Sequence, residues 1–190
     1  MKTLIHWSLA PALLIAASAH AETLPDPRAA EAKTIIQQFA GALQGELQDA
    51  IASGGPVRAI EVCETRAPAI ADELSTRTGW SVGRTSLGVR NAARNTPDDW
   101  EREILDQFEE QRAAGEPVAD LAHAEVVEDE DGRRFRFMKA IPTAEVCLAC
   151  HGDHLTPEVA AALDERYPED DARGYRAGDI RGAFTLAKPL

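Results

Sequence analysis

Apolar residues recur every three to four positions along the first part of the chain, which is the spacing of one helix face. They predict a helix from about residue 25 to Ser53, with the apolar stripe Ile35, Ile36, Phe39, Leu43, Leu47 and Ile51. Gly54-Gly55 is expected to end this helix, and Pro56 to open a second one. Pro68 then predicts a break or kink, followed by another helical segment up to Gly79.

Strand and helix patterns follow in the remaining sequence. Strands are predicted at residues 80–86, 123–128, 133–141 and 181–187, with a hairpin turn at Asp131-Gly132. A loop is predicted at 89–95, and helices from Thr96-Pro97, with Thr96 as the cap, to before Gly115, from Thr143, and at 157–166. Because regular βαβ units are missing from this order, we expect an α+β fold with an antiparallel sheet flanked by helices.

The first 21 residues have the layout of a secretory signal peptide. A basic Met1-Lys2 start precedes an apolar run from Leu4 to Ala17, and Ala19-His20-Ala21 offers the small residues of a cleavage site. The run is shorter than the roughly 20 residues that a membrane span needs. We therefore expect a single mature domain at residues 22–190 that is soluble and periplasmic, with no membrane insertion after cleavage.

The charge of the chain limits its partners. The formal net charge is −12, with 44% hydrophobic and 27% charged residues. General electrostatics therefore exclude binding to nucleic acid or to an anionic lipid surface. A basic redox partner protein is compatible with this charge, although many exported proteins are acidic simply for solubility.

One short motif carries cofactor chemistry. Cys147-Leu148-Ala149-Cys150-His151 is a C-x-x-C-H sequence, the attachment signature of one covalent haem c. On a helix, the spacing of Cys147 and Cys150 places both thiols on one face, where they can add to the two vinyl groups of a haem. His151 can then bind the iron as an axial ligand. A zinc site, a thioredoxin-like pair and a Cys147–Cys150 disulfide are the alternatives.

The residues alone do not identify the second axial ligand of the iron. Met138 lies close to the motif in sequence, and methionine is the usual second ligand of electron-carrier cytochromes. His123 begins a predicted strand, and His154, only three residues past His151, would have difficulty reaching the opposite haem face. Cys63 lies on an apolar helix face and is the odd cysteine of the three, which leaves a thiol to explain in an exported protein. Ordinary packing accounts for each of these residues when it is taken alone.

Four segments resemble the signatures of one known family. They are Ala59 to Ala71, Thr78 to Leu87 followed by Arg90-Asn91, Met138 to Pro142 leading into the C-x-x-C-H motif, and Gly178 to Phe184. In this order they resemble the PAS-like mono-haem c-type cytochrome family of long-unassigned function, found alone in the periplasm and as the sensor region of bacterial signalling kinases. The resemblance implies a PAS-like fold and axial ligation of the iron by His151 and Cys63.

The resemblance also indicates the expected function. Arg84, Arg90 and Lys139 are candidate partners for the haem propionates, because guanidinium and ammonium groups pair with carboxylates. We expect a redox- or gas-responsive sensor or haem-binding protein, in which the thiolate of Cys63 stabilises ferric iron. An electron-transfer cytochrome with a permanently six-coordinate haem is the alternative. An enzyme such as a peroxidase is not expected, since only one attachment motif is present.

Overall fold

The computed structural model describes residues 26–129 and 132–190. The predicted signal peptide, residues 1–21, and Asp131 of the predicted turn lie outside the described residues. The described elements are α1 Pro27–Thr78, β1 Ser81–Thr85, α2 Ala92–Asn95, α3 Asp99–Ala113, β2 Ala122–Asp129, β3 Gly132–Pro142, α4 Leu148–His151, α5 Pro157–Arg166 and β4 Ile180–Pro189. None of the helices in these two ranges has the length and hydropathy that a membrane span requires.

The long element α1 is two helices joined at a sharp break. Gly55 has φ 71° and ψ −167°, a conformation that glycine adopts without a steric penalty. The two halves then run antiparallel: Arg66 pairs with Glu46 at 2.8 Å, and farther from the break Arg77 donates to Gln38 at 2.6 Å. The break expected after Ser53 is therefore present, and we call the two halves together the helical hairpin.

The predicted break at Pro68 is wrong. Within α1 only Gly55 leaves helical dihedral angles, so the second half continues through Pro68 to Thr78. Ile70 and Leu74, two and six residues later, are buried in the core. Their burial outweighs the hydrogen bond that proline cannot donate, because tertiary packing supplies most of the stability of a helix within a protein.

Four antiparallel strands form the sheet, in the order β1-β4-β3-β2. Thr85 pairs with Ala183, Phe137 with Leu186, and Ala122 with Lys139. The predicted fold class, an antiparallel sheet flanked by helices with a helix at the N-terminal end, is confirmed. The strand ends differ from the prediction by only a few residues.

Each face of the sheet packs on a different helical layer. The helical hairpin covers one face and buries Ile35, Phe39, Leu74, Trp80, Phe135, Phe137 and Leu186. Helix α3 covers the other face and buries Ile104, Leu105, Phe108, Met138, Ala140 and Ala183. Because strand side chains alternate between faces, Phe137 and Met138 lie in different cores.

The N-terminus of α3 differs from the prediction. Asp98, not Thr96, is the N-cap: its carboxylate accepts from the Glu101 backbone N–H at 2.8 Å, and the Glu101 carboxylate accepts from the Asp98 N–H at 3.2 Å. This reciprocal capping box satisfies two helix-end donors, whereas a single hydroxyl satisfies one. The Thr96 hydroxyl donates instead to the carbonyl of Ala92, in the short helix α2 that replaces part of the predicted loop.

The segment that carries the C-x-x-C-H motif is less helical than predicted. A 3₁₀ turn covers Glu145–Cys147, and α4 is limited to Leu148–His151. Thr143 does not start the helix because its backbone is extended against residues 178–179, donating to the Asp179 carbonyl at 2.8 Å and accepting from the Gly178 N–H at 2.9 Å. This pairing fixes the point from which the motif enters the site.

Candidate functional site

A cavity of about 290 Å³ lies between the helical hairpin, β1, the motif segment and β4. This volume is near the lower end of the range for small-molecule sites, roughly 300–1,000 Å³. Its apolar lining includes Phe39, Leu43, Leu47, Ile51, Ala59, Ile60, Ala71, Val82 and Ile141. We call it the thiol-lined cavity, because all three cysteines of the chain line it as well.

The cysteines come from two separate parts of the chain. Cys63 lies on the second half of the helical hairpin, whereas Cys147 and Cys150 lie on the motif segment. All three are half-buried and none forms a disulfide. Burial raises the pKa of the Cys63 thiol, and the nearby cations Arg84, Arg90 and Arg181 offset part of that effect.

The imidazole of His151 is held as a neutral ring. Its Nδ1 lies 2.8 Å from the Ala172 carbonyl, and a carbonyl can only accept, so Nδ1 carries the proton. The lone pair of the ring is then on Nε2, which lies 3.4 Å from both Arg90 Nη1 and Arg181 Nε. Arg181 Nε also lies 3.1 Å from Nδ1, and with the proton on Nδ1 its N–H can be accepted only by the lone pair of Nε2.

Two effects keep His151 unprotonated. Burial and then the neighbouring guanidinium groups of Arg181 and Arg90 lower the pKa of His151 to about 2. A neutral imidazole with its N–H bound to a carbonyl is the form that binds a metal through the other nitrogen.

Backbone hydrogen bonds fix the segment around His151. Tyr175 N donates to the His151 carbonyl at 2.9 Å, and Gly174 N to the Gly152 carbonyl at 3.1 Å. Gly88 lies beside the same loop, where a Cβ atom would clash with the Tyr175 hydroxyl and come 2.9 Å from the Asp171 carbonyl oxygen. Residues 170–175 therefore form a close-fitting wall behind the imidazole.

Four arginines line the cavity; Arg94 pairs with Asp72 at the surface, and the other three have different partners. Arg90 forms a buried ion pair with Asp170 at 2.9 Å. Arg84 and Arg181 have no carboxylate within ion-pair distance in the parts of the chain that the structure describes; Arg84 lies over the Phe39 ring, and Arg181 donates to Ser86 and Gly88. Burial lowers the pKa of both arginines, and a buried cation without an anionic partner is costly.

Other sequence-predicted residues lie away from the cavity. Met138 is fully buried in the core under α3, and His123 packs edge-to-face on Trp100. Lys139 donates to the carbonyl of Ala119. None of these three lines the cavity, so the structure brings together Cys63, Cys147, Cys150, His151, Arg84 and Arg90 and leaves Met138, His123 and Lys139 outside.

Sequence reasoning missed several residues of the site. The sequence does not predict as site residues the side chains and backbone that contact His151 or its neighbours, namely Arg181, Asp170, Ala172 and Tyr175. A signal existed only for Arg181, a charged residue that begins a predicted strand of otherwise small and apolar residues. The others lie in a polar loop whose composition resembles any exposed connection.

The antiparallel sheet, the helical hairpin and the thiol-lined cavity together define an α+β protein with an internal cavity. The profile of the Tll0287-like family, described as Tll0287, matches residues 20–189. The chain belongs to this family, which confirms the resemblance inferred from the four signatures.

One solved structure shares the fold. It is described as the crystal structure of the cyanobacterial heme-protein Tll0287, with a TM-score of 0.67 and 23% sequence identity. The alignment covers 88% of this chain and 98% of that one, so the similarity extends over almost the whole of that protein. No curated protein matches the chain.

Proposed function

We propose that this protein is a periplasmic mono-haem c-type protein. Cys147 and Cys150 would hold the haem covalently, and His151 and Cys63 would be its axial ligands. The observation that carries the proposal is the convergence of these four residues, from two distant parts of the sequence, on one cavity. The related fold of a cyanobacterial heme-protein supports the same cofactor.

The cavity suits a haem in polarity as well as in its donor atoms. Leu43, Leu47 and Ile51 form an apolar stripe that is only half-buried in the protein chain alone, and a flat apolar macrocycle would cover it. Arg84 and Arg181 are cations without carboxylate partners among the described residues, and two propionates would neutralise them. A zinc site is less compatible, because the described residues contain no cluster of three or more His, Cys, Asp or Glu suited to a metal ion.

The protein residues each have a defined task in this site. His151 presents Nε2 while the Ala172 carbonyl holds its Nδ1 proton. A haem bound there would supply one-electron redox chemistry and an iron position for small gases. With haem bound, the apolar stripe would exclude water from the site, and Arg84 and Arg181 would pair with the two propionates.

We propose a sensing role in which Cys63 is a ligand that can be released. Burial raises the pKa of the Cys63 thiol, so the cavity favours a neutral thiol unless a positive charge on the metal holds the thiolate. A neutral thiol is a weak ligand, and Cys63 would therefore dissociate from the iron more readily after the iron is reduced. A free iron position then becomes available to a small gas such as carbon monoxide or nitric oxide.

Mass spectrometry tests the covalent attachment. The chain matured in a host with haem-attachment machinery should gain the mass of one haem, and the double variant Cys147→Ser, Cys150→Ser should not. A colourless wild-type protein without added mass would refute the proposal.

Electron paramagnetic resonance tests the axial ligand. Cys63→Ser should change the low-spin ferric spectrum and raise the midpoint potential, because the thiolate that stabilises ferric iron is lost. Met138→Leu is the matched control, since Met138 is buried outside the cavity, and it should leave the spectrum unchanged. An unaltered ferric spectrum in Cys63→Ser would exclude Cys63 as the ligand.

Gas binding distinguishes sensing from electron transfer. The reduced wild-type protein should bind carbon monoxide with loss of the thiolate spectral signature. A haem that stays six-coordinate and closed to carbon monoxide in both redox states would favour the electron-transfer cytochrome instead.

A further inference from the structure

Arg90 makes contacts that a propionate partner would not be expected to make. Its Nε and Nη2 donate to the Asp170 carboxylate at 2.9 and 3.1 Å, and Nη2 also lies 2.7 Å from the Cys150 carbonyl and 3.0 Å from the Ala172 carbonyl. The side chains of Arg90 and Asp170 are only 10% and 1% exposed. We propose that this ion pair is a clamp that orients the imidazole of His151, an inference that rests on the proposed haem function.

The clamp holds both backbone polar groups of one residue, Ala172. Asp170 Oδ1 accepts from the Ala172 backbone N–H at 3.0 Å, while Arg90 Nη2 donates to the Ala172 carbonyl. The same carbonyl accepts the Nδ1 proton of His151 at 2.8 Å. A carbonyl fixed in this way fixes the plane of the ring, because the N–H of the imidazole must point at it.

The clamp also reaches the attachment motif. Arg90 Nη2 donates to the carbonyl of Cys150, the residue directly before His151. One guanidinium therefore sets the position of both the second attachment thiol and the imidazole relative to the loop at 170–172. The planar, forked geometry of arginine permits this, and a lysine ammonium cannot reproduce it.

This assignment gives Arg90 a different role from Arg84 and Arg181. The Nε and Nη2 nitrogens of Arg90 are committed to Asp170 and to two carbonyls, and its Nη1 faces His151 Nε2. Arg84 and Arg181, without carboxylate partners among the described residues, are then the cations for the propionates. Arg90 is a positioning residue, and its expected role as a propionate partner is replaced.

The clamp should tune the iron through the imidazole. A hydrogen bond from Nδ1 to a fixed carbonyl raises the basicity of a metal-ligating histidine. Greater donation from the ring stabilises ferric iron, so a loosened carbonyl should shift the midpoint potential to more positive values. Arg90→Lys keeps the positive charge and removes the forked guanidinium. It therefore separates the effect of positioning the Ala172 carbonyl from the effect of the charge alone.

The central experiment compares Arg90→Lys with Arg173→Lys. Arg173 also donates to Asp170, at 2.8 Å, but has no hydrogen bond to the motif, so its variant controls for disturbance of the carboxylate. In the haem-loaded proteins, Arg90→Lys should shift the potential to more positive values and alter the g-values of the ferric spectrum. Arg173→Lys should match the wild type in both, and equal values in all three proteins would overturn the proposal.

A second measurement uses haem-free, full-length mature chain. Nitrogen-15 NMR should show the Nδ1–H tautomer of His151 as the dominant form in the wild type and in Arg173→Lys, and a mixture of tautomers in Arg90→Lys. A dominant Nδ1–H form in Arg90→Lys as well would overturn the clamp. This measurement separates the two proposals. A wild type that takes up no haem refutes the proposed function, whereas the tautomer populations of His151 still test whether Arg90 orients the imidazole.

A third measurement needs no variant. The Nε–H of Arg90 should exchange with solvent far more slowly than that of Arg77, whose guanidinium bonds Gln38 at the exposed surface. Equal exchange rates in the wild type would overturn the buried clamp even where Arg90→Lys fails to fold.

Discussion

The carboxylate of Asp170 shows how one residue connects stability to the site. Burial alone would raise its pKa, but hydrogen bonds from Arg90 and Arg173 outweigh burial and lower the pKa below its ordinary value. The folded state therefore holds a proton on Asp170 less readily than the unfolded state does. The stabilisation is fully present above the ordinary carboxyl pKa of about 3.9 and is lost as the pH falls below it.

We predict that Asp170→Asn lowers the free energy of unfolding of the haem-free chain by about 3–5 kcal/mol at neutral pH, because it leaves Arg90 buried without its partner. The difference from the wild type should stay constant above about pH 5 and shrink below about pH 4. Denaturant unfolding at several pH values measures it. Asp164→Asn is the control, since Asp164 bonds Arg173 at an exposed position and should change little.

Gly88 is a position where the fold requires the absence of a side chain. Gly88→Ala should destabilise the fold by about 1–3 kcal/mol, because the new methyl group would meet Tyr175 and a backbone oxygen of the wall behind His151. Gly83→Ala is the control, since its Cβ would lie 3.6 Å from Thr185, an ordinary contact. Thermal unfolding of the two variants side by side would show the difference, and equal melting temperatures would contradict it.

At the scale of elements, the helical hairpin depends on the backbone of one glycine. Gly55→Ala should destabilise the protein by about 1–3 kcal/mol, because φ 71° with ψ −167° is strained for any residue with a Cβ. Gly45→Ala is the matched control on an exposed helical position with open space around its Cβ, and it should stabilise by about 0.5–1 kcal/mol. Opposite signs in denaturant unfolding are the expected result.

The elements also show how far local sequence signals reach. The strands were predicted closely because alternation and β-branched residues act within a few residues of each other. The continuous helix through Pro68 was not predicted. It depends on burial of Ile70 and Leu74 against the sheet, and no local pattern around Pro68 indicates that burial. The cap of α3 was misplaced because Thr96 and Asp98 both fit a cap, and only the reciprocal bonds with Glu101 select Asp98.

At the scale of the whole molecule, the thiol-lined cavity leaves apolar surface of the hairpin and sheet uncovered by protein. We predict that the haem-free chain binds the dye 1-anilinonaphthalene-8-sulfonate, and that haem loading abolishes this binding and raises the melting temperature, since a ligand of the native state stabilises it. The Cys147→Ser, Cys150→Ser variant should keep the behaviour of the haem-free chain. Strong dye binding by the loaded wild type would show that the haem does not fill the cavity.

The sequence by itself determined the C-x-x-C-H motif, the fold class and the family, because each rests on patterns within short segments of the chain. Cys147, Cys150 and His151 lie within five residues of one another, so the motif is recognised without a structure. Only the tertiary structure decided that Cys63 shares their cavity while Met138 and His123 do not, and that Arg90 contacts Asp170 and two carbonyls. Those contacts join residues far apart in sequence, and chain folding, not local pattern, brings them within hydrogen-bonding distance.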